Sequence, residues 1–299
     1  MRNEKASKSM PVMPKQPVPS VRPSVLSPQS SVLRTEFSLY LRFIAARIRG
    51  QMQYRASFIL DVISRFLVNG LELAGIFILF HRFSSLGGWG VGEIVFLYAL
   101  VTISFAFHEV VAQSFEDFSL TVRQGEFDRI LLRPITPIVQ VLASDFQLKR
   151  LGRVLTGVVA LILALMRVHL TWTVGKLLYM PVVILSGIFL FAAIDLIGGT
   201  LSFWTIERTE VINVFTYGGV YMSSYPISIY QAWIRRTFTF FIPIAFVAYY
   251  PGLYFLDRTD PLGLPRFVSF LTPAVTVIFC AVALCFWEWG VRQYQSTGS

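Results

Sequence analysis

The chain has 299 residues, of which 55% are hydrophobic and 14% charged, and its formal net charge is +9. A mean hydropathy of +0.61 excludes an ordinary soluble globular domain. Apolar runs of about 20 residues recur, and that length lets a helix cross about 30 Å of hydrocarbon. We predict one all-α, polytopic membrane domain. The basic residues lie in the amino-terminal tail and between apolar runs, which indicates membrane orientation and not nucleic-acid binding.

The first part of the chain divides into a tail and an amphipathic segment. Residues 1–33 carry six prolines and five basic residues, a composition typical of a disordered tail outside the membrane domain. We place that domain at residues 34–299. In the stretch 34–55, Tyr40 and Ile44 share an apolar face opposite Arg42. This pattern predicts an amphipathic helix in the membrane interface.

The apolar runs predict the crossings of the membrane. A further stretch, residues 235–256, is interrupted by Pro243 and Pro251, so it reads either as a kinked span or as two half-helices that re-enter one leaflet. In the second case the chain crosses six times, and the distribution of Lys and Arg places both termini in the cytoplasm. The predicted spans are residues 56–80, 91–112, 151–168, 177–204, a weaker 209–229, and 267–289.

The sequence gives no sign of catalysis or of a bound cofactor. Its one Gly-Lys pair, Gly175 and Lys176, is followed by a leucine and so lacks the pattern of a phosphate-binding loop. His108 and Glu109 resemble half of a zinc-protease motif, but Ala112 stands where the second histidine belongs. We therefore expect neither a catalytic residue nor a metal site in this chain.

Four ionisable residues fall inside predicted spans, where charge is costly. Asp61 and Arg65 are four residues apart and are predicted to form an ion pair on one helix face. Glu72 has no partner at helical spacing. For Glu72 and for Asp195 two interpretations stay open: lining a transport pathway, or packing against another helix.

Residues 125–137, "GEFDRILLRPITP", form a charged stretch between two apolar runs. Gly125 can open a short helix. Glu126 and Asp128 then fall in its first turn and Arg133 in its last, a distribution that the helix dipole favours. The stretch therefore predicts a short helix on a cytoplasmic loop.

The same helix carries an apolar stripe. Phe127, Ile130 and Leu131 share one face, and Pro134 and Pro137 are predicted to end the turn. Two interpretations follow. The helix rests on lipid headgroups, or it docks a soluble partner through an aromatic anchor and charges that give specificity.

Several separated blocks of the sequence resemble one family. The stretch "VRQGEFDRILLRPITPIVQVLASD" resembles the cytoplasmic coupling segment of permeases of the ABC type 2 family. "QYRASFILDVI", "LGGWGVGEIVFLYAL", "LSFWTIERTEVIN", "YPISIYQAW" and "FIPIAFVAYYP" are similar to a bacterial subgroup of that family. The blocks occur in the same order, from about residue 36 to 298, which makes the resemblance specific.

The resemblance implies the permease subunit of an exporter that moves an amphipathic, lipid-like or drug-like substrate by alternating access. Two permease subunits, identical or related, would sit in a prokaryotic plasma membrane on two ATPase subunits, which bind the ATP and Mg²⁺. An interfacial connector helix would correspond to residues 34–55 and the coupling helix to residues 125–137. Half-helices before the last span would correspond to residues 230–256, which favours six crossings.

Within the coupling helix, the resemblance implies distinct roles. We predict that Phe127 and Ile130 anchor it in a groove of the ATPase. The charged residues that would set partner choice are Glu126, Asp128, Arg129 and Arg133. An alternative class, an ion-coupled secondary transporter or channel, would need no ATPase, and Glu72 or Asp195 would then carry the coupling.

Overall fold

A computed structural model describes residues 29–168, 170–205 and 210–295. Within these ranges the chain is helical, and its one strand-like feature is an isolated bridge between Leu86 and Trp89. The helices are α1 Gln29–Met52, α2 Arg55–Arg82, α3 Val91–Ala112, α4 Phe118–Arg123, α5 Glu126–Leu131, α6 Pro137–Ser144, α7 Leu151–Arg167, α8 Val174–Thr205, α9 Glu210–Ser223, α10 Ala232–Arg236, α11 Tyr249–Phe255 and α12 Thr272–Gln293.

Among the described residues, four helices are long and apolar enough to cross a membrane: α2, α3, α8 and α12. They match the predicted spans at residues 56–80, 91–112, 177–204 and 267–289. Helix α7 has 17 residues. The described part of helix α9 has 14 residues, and neither helix is among these four. The count of six crossings therefore stays a prediction.

The proline-interrupted stretch is bent. Ala232–Phe241 and Ile244–Phe255 meet at 77°, the geometry of a broken span or of a re-entrant loop. The break falls at Pro243. Pro251 lies instead in the first turn of α11, where its missing N–H would have had no helical partner. Only the first of the two prolines therefore interrupts the stretch.

Polar contacts fix the end of α11 to α8 and α3. Lys176, in the first turn of α8, donates hydrogen bonds to the Phe255 carbonyl oxygen at 2.9 Å and to Asp257 Oδ2 at 2.6 Å. Hydrogen bonds from Lys176 and from a threonine hydroxyl hold the pKa of Asp257 below its ordinary value. Arg258 Nε lies 2.9 Å from Glu93 Oε1 at the start of α3. The bent segment is therefore held at this end of the bundle.

Helix α3 is the centre of the bundle. It is apolar around its whole circumference, and most of its residues are buried, as expected for a helix surrounded by others. Helices α7 and α8 pack against it along their length. Helix α2, by contrast, exposes a broad apolar face and buries only Asn69, Leu73 and Ile76. The bundle is therefore built outward from α3.

Helix α1 precedes the bundle and contacts the loop after α6. Gln51 donates a hydrogen bond to the Phe146 carbonyl oxygen and accepts one from Leu148 N at 2.9 Å. The helix begins at Gln29, so residues 29–33, predicted to be disordered, are helical. The rest of the predicted tail, residues 1–28, lies outside the described residues. The interfacial position of α1 stays a prediction.

Gly152 permits a close crossing of α2 and α7. A Cβ atom at Gly152 would collide with the Val62 carbonyl oxygen, and a backbone atom cannot move aside as a flexible side chain can. At two glycines of α2, Gly70 and Gly75, a Cβ atom would meet no neighbouring atom of the described residues within 4 Å. The close approach is therefore a property of one crossing and not of glycine in general.

We expect Gly152→Ala to destabilise the fold by roughly 1–3 kcal/mol, the usual cost of overpacking. Gly75→Ala, the matched control, should change stability by less than about 1 kcal/mol because the added methyl group enters open space. Thermal unfolding of the purified variants in one detergent measures both. Equal melting temperatures for the two variants would contradict the crossing at Gly152.

Candidate functional site

The segment at residues 125–137 contains a shorter helix than the sequence predicts. Gly125 adopts a left-handed backbone with φ 69°, and α5 ends at Leu131. Glu126 and Asp128 occupy the first turn, as predicted, but Arg133 lies beyond the last turn. Pro137 does not end this helix. It is the first residue of α6, a position that needs no backbone donor.

Phe127 lies at the centre of an aromatic cluster. Its ring is 0% exposed. The ring centroids of Phe203 and Tyr294 lie 5.1 Å and 5.0 Å from its own. Phe118 and Trp287 lie at 5.3 Å and 6.2 Å. Phe203 belongs to α8, and Trp287 to α12. The ring therefore joins the segment 125–137 to two long apolar helices.

This burial bears on the predicted role of Phe127. A ring that its own chain covers completely is not available to a partner in this conformation, so the geometry favours a packing role and the anchoring of an ATPase stays a prediction. Ile130 is half-buried and packs against the same cluster. The two apolar residues chosen as anchors therefore face inward and hold α5 on the bundle.

Other contacts of the segment reinforce this arrangement. Gln140 Nε2 donates hydrogen bonds to the carbonyl oxygens of Ile130 at 3.0 Å and Ile135 at 2.7 Å. Burial raises the pKa of the Tyr294 hydroxyl, and the neighbouring carboxylate of Asp128 raises it further. The turn after α5 is thus tied to α6, and Asp128 faces the last residues of the described chain.

The opposite face of the segment is exposed. Leu132 is 85% exposed, although it is a large apolar residue. It stands among charged side chains that were predicted to set partner choice. The exposed residues around it are Glu126, Arg129, Arg133 and Pro134. An exposed leucine rimmed by charge has the character of an interface anchor, and sequence periodicity missed it because Leu132 lies beyond the last turn of α5.

A cavity of about 290 Å³ separates this segment from α1. Arg47 of α1 and Arg129 and Arg133 of the segment line it, together with Glu126 and Gln140. Three guanidinium groups and one carboxylate make its lining basic. Helix α1 and the segment 125–137 therefore border one another across a polar gap.

Asp195 is a packing residue. It is 1% exposed, and its Oδ2 lies 2.8 Å from His108 Nε2. The Thr216 hydroxyl donates to its Oδ1 at 2.9 Å. Three helices, α3, α8 and α9, meet at these polar contacts. Of the two interpretations left open by the sequence, helix packing is the one that this geometry supports.

The other intramembrane charges line an open groove of about 390 Å³. Asp61, Arg65 and Glu72 all contribute from α2, and Asn69 lies between them. Residues from the facing helices and from the start of α7 are Glu109, Arg150, Arg153, Tyr217 and Tyr221. Among the described residues no ion pair joins Asp61 to Arg65, so this part of the prediction is wrong.

Glu109 is a groove residue that the sequence pattern did not reveal. It is 2% exposed, and its carboxylate oxygens lie 2.5 Å from Arg150 Nη1 and 3.2 Å from Arg153 Nη1. In the sequence it stands out only as part of an incomplete zinc motif. The sequence could have revealed Glu109, because a buried acid near the end of one span needs a cation near the end of another.

Most of the chain matches one protein family. Residues 66–298 match the family described as ABC-2 family transporter protein. The match begins within α2, so α1 lies outside it. No curated protein and no solved structure matches the chain.

The matched range includes the segment 125–137 and most residues that line the groove, although Asp61, Ser64 and Arg65 lie before it. Its long apolar helices agree with a multi-pass membrane protein. The chain therefore belongs to the ABC-2 transporter family and is a membrane permease component of an ABC-type transporter.

Proposed function

We propose that the chain is the permease subunit of an exporter, driven by a separate ATPase that docks on the exposed face of the segment 125–137. The ATP and Mg²⁺ would be bound by two copies of that ATPase and not by this chain. The observation that carries the proposal is the two-sided character of α5. One side packs into the bundle through Phe127, and the other exposes Leu132 and the charged residues.

This arrangement suits the transmission of force. ATP binding can shift the permease between two conformations only if the ATPase contacts them differently. A helix attached to α8 and α12 by a buried ring cluster moves with those helices. Leu132 supplies an apolar anchor, and Glu126, Arg129 and Arg133 supply charges for partner choice, since charge complementarity favours one partner over others.

The open groove supports a second permease subunit, identical or related. Charged side chains in hydrocarbon are costly, so they face protein or a water-filled cavity. The groove opens on the side of α2, whose exposed face carries Leu67 and Leu71. A second permease placed there would enclose the groove as a transport pathway for an amphipathic substrate.

The membrane topology completes the proposal. With α7 and α9 as short crossings and the bent pair α10–α11 as a re-entrant element, the chain crosses six times in the plasma membrane of a prokaryote. Both termini and the coupling segment then lie in the cytoplasm. The basic residues Arg47, Arg129, Lys149 and Arg150 fall on that side, as the positive-inside bias favours.

The first test concerns Leu132. We expect Leu132→Asp to raise the dissociation constant of the ATPase by about tenfold or more, because it removes an apolar anchor at the centre of the contact. Binding of the purified ATPase to the permease in nanodiscs measures this. Leu264→Asp, an exposed leucine after α11, is the matched control and should bind normally. Unchanged affinity in the Leu132 variant would contradict the docking face.

The second test separates packing from direct contact. Phe127→Ala should destabilise the permease by roughly 3–5 kcal/mol, because it empties a large buried site. Phe240→Ala, at an exposed ring, should cost less than about 1 kcal/mol. Thermal unfolding of both variants gives the comparison. A Phe127 variant with wild-type stability but without ATPase binding would show that the ring contacts the partner after all.

A further inference from the structure

Glu72 is a groove charge placed well inside a long apolar helix. It lies ten residues from the end of α2 at Arg82, which is about 15 Å along the axis at the rise of an α-helix. The Tyr221 hydroxyl donates a hydrogen bond to its Oε1 at 3.0 Å. Within the described part of the chain, no cation forms an ion pair with it. A carboxylate at this depth calls for a counter-charge.

The other charges of the groove are better compensated. Glu109 contacts both Arg150 and Arg153. Arg65 forms no ion pair with the described residues, but it lies in the electrostatic field of Glu109 and Asp61. The deficit of positive charge is therefore local to Glu72.

Tyrosine side chains lie on the same side of the groove as this carboxylate. Tyr221 contacts it directly, and Tyr217 lines the groove with Tyr221. Tyr98 donates its hydroxyl hydrogen to the Asn69 carbonyl oxygen at 3.2 Å, which fixes it one turn from Glu72. Tyr221 is more than half exposed and borders the open side of the groove. A carboxylate among tyrosine rings is the setting in which proteins bind organic cations.

We propose that this part of the groove, with Glu72 as its charge and Tyr217 and Tyr221 in its lining, binds the positively charged group of an amphipathic organic cation. The volume of about 390 Å³ lies in the range of sites for drug-sized ligands. The exposed apolar face of α2 borders the groove and can accept the hydrocarbon part. This inference rests on the proposed transport function and names the substrate class for it.

The test uses two probes of the same shape and opposite charge, tetraphenylphosphonium and tetraphenylborate. The full chain in lipid nanodiscs should bind the phosphonium more tightly than the borate, after subtraction of binding to empty discs. Glu72→Gln should raise the dissociation constant for the phosphonium by about tenfold, because one charge interaction is lost. It should not weaken binding of the borate.

Matched variants locate the effect. Asp61→Asn removes a charge at the other end of the same helix face, and it should change phosphonium binding by less than about threefold. Tyr221→Phe keeps the ring and should bind nearly as wild type, whereas Tyr221→Leu should bind more weakly. Equal phosphonium binding by wild type and Glu72→Gln would overturn the site.

If Glu72→Gln does not fold, the comparison of the two probes on the wild-type chain still tests the proposal. Borate binding as tight as phosphonium binding would overturn it. Binding to the chain in nanodiscs needs no ATPase. A negative result therefore contradicts the cation site alone, and normal ATPase binding by the Leu132 variant contradicts the coupling assignment alone.

Discussion

The burial of Phe127 is the contact on which the position of the segment 125–137 depends. One six-residue helix is too short to be stable alone, and α5 holds its place because this ring packs against Phe203 of α8 and Trp287 of α12. The left-handed turn at Gly125 sets the direction in which the helix enters the cluster. Fixing one side of α5 in this way leaves the other side, with Leu132, free to meet a partner.

The membrane half obeys a different constraint, the cost of charge in hydrocarbon. The chain meets it in two ways. Asp195 is enclosed and bonded to His108 and Thr216, so it joins three helices. Glu109 is buried and paired with two arginines. Each of these charges serves the packing of the bundle, and neither has a free carboxylate oxygen to offer a substrate.

The sequence predicted the long helices correctly because the hydrocarbon of a membrane dictates which residues can lie in it. Hydrocarbon requires long apolar helices, so α2, α3, α8 and α12 could be placed from composition alone. Sequence periodicity could not place contacts between distant segments. Phe127 looked like an exposed anchor because an apolar stripe on a short helix shows which residues share a face, but not which side of the helix is covered. The rings that cover it come from residues far along the chain.

Asp61 and Arg65 illustrate the same limit at the scale of a single pair. Their spacing allows an ion pair, but Arg65 also lies near charges from other helices, and no ion pair forms between the two side chains. Carboxylates lie near Arg65 and compensate its charge. Glu72, in contrast, has no ion pair with a cation of the described residues, and a tyrosine hydroxyl contacts it instead. The charges are unevenly distributed along the groove because different helices face α2 at different depths. A carboxylate without a counter-ion suits a ligand site, whereas a carboxylate paired with arginines stabilises the packing of the helices.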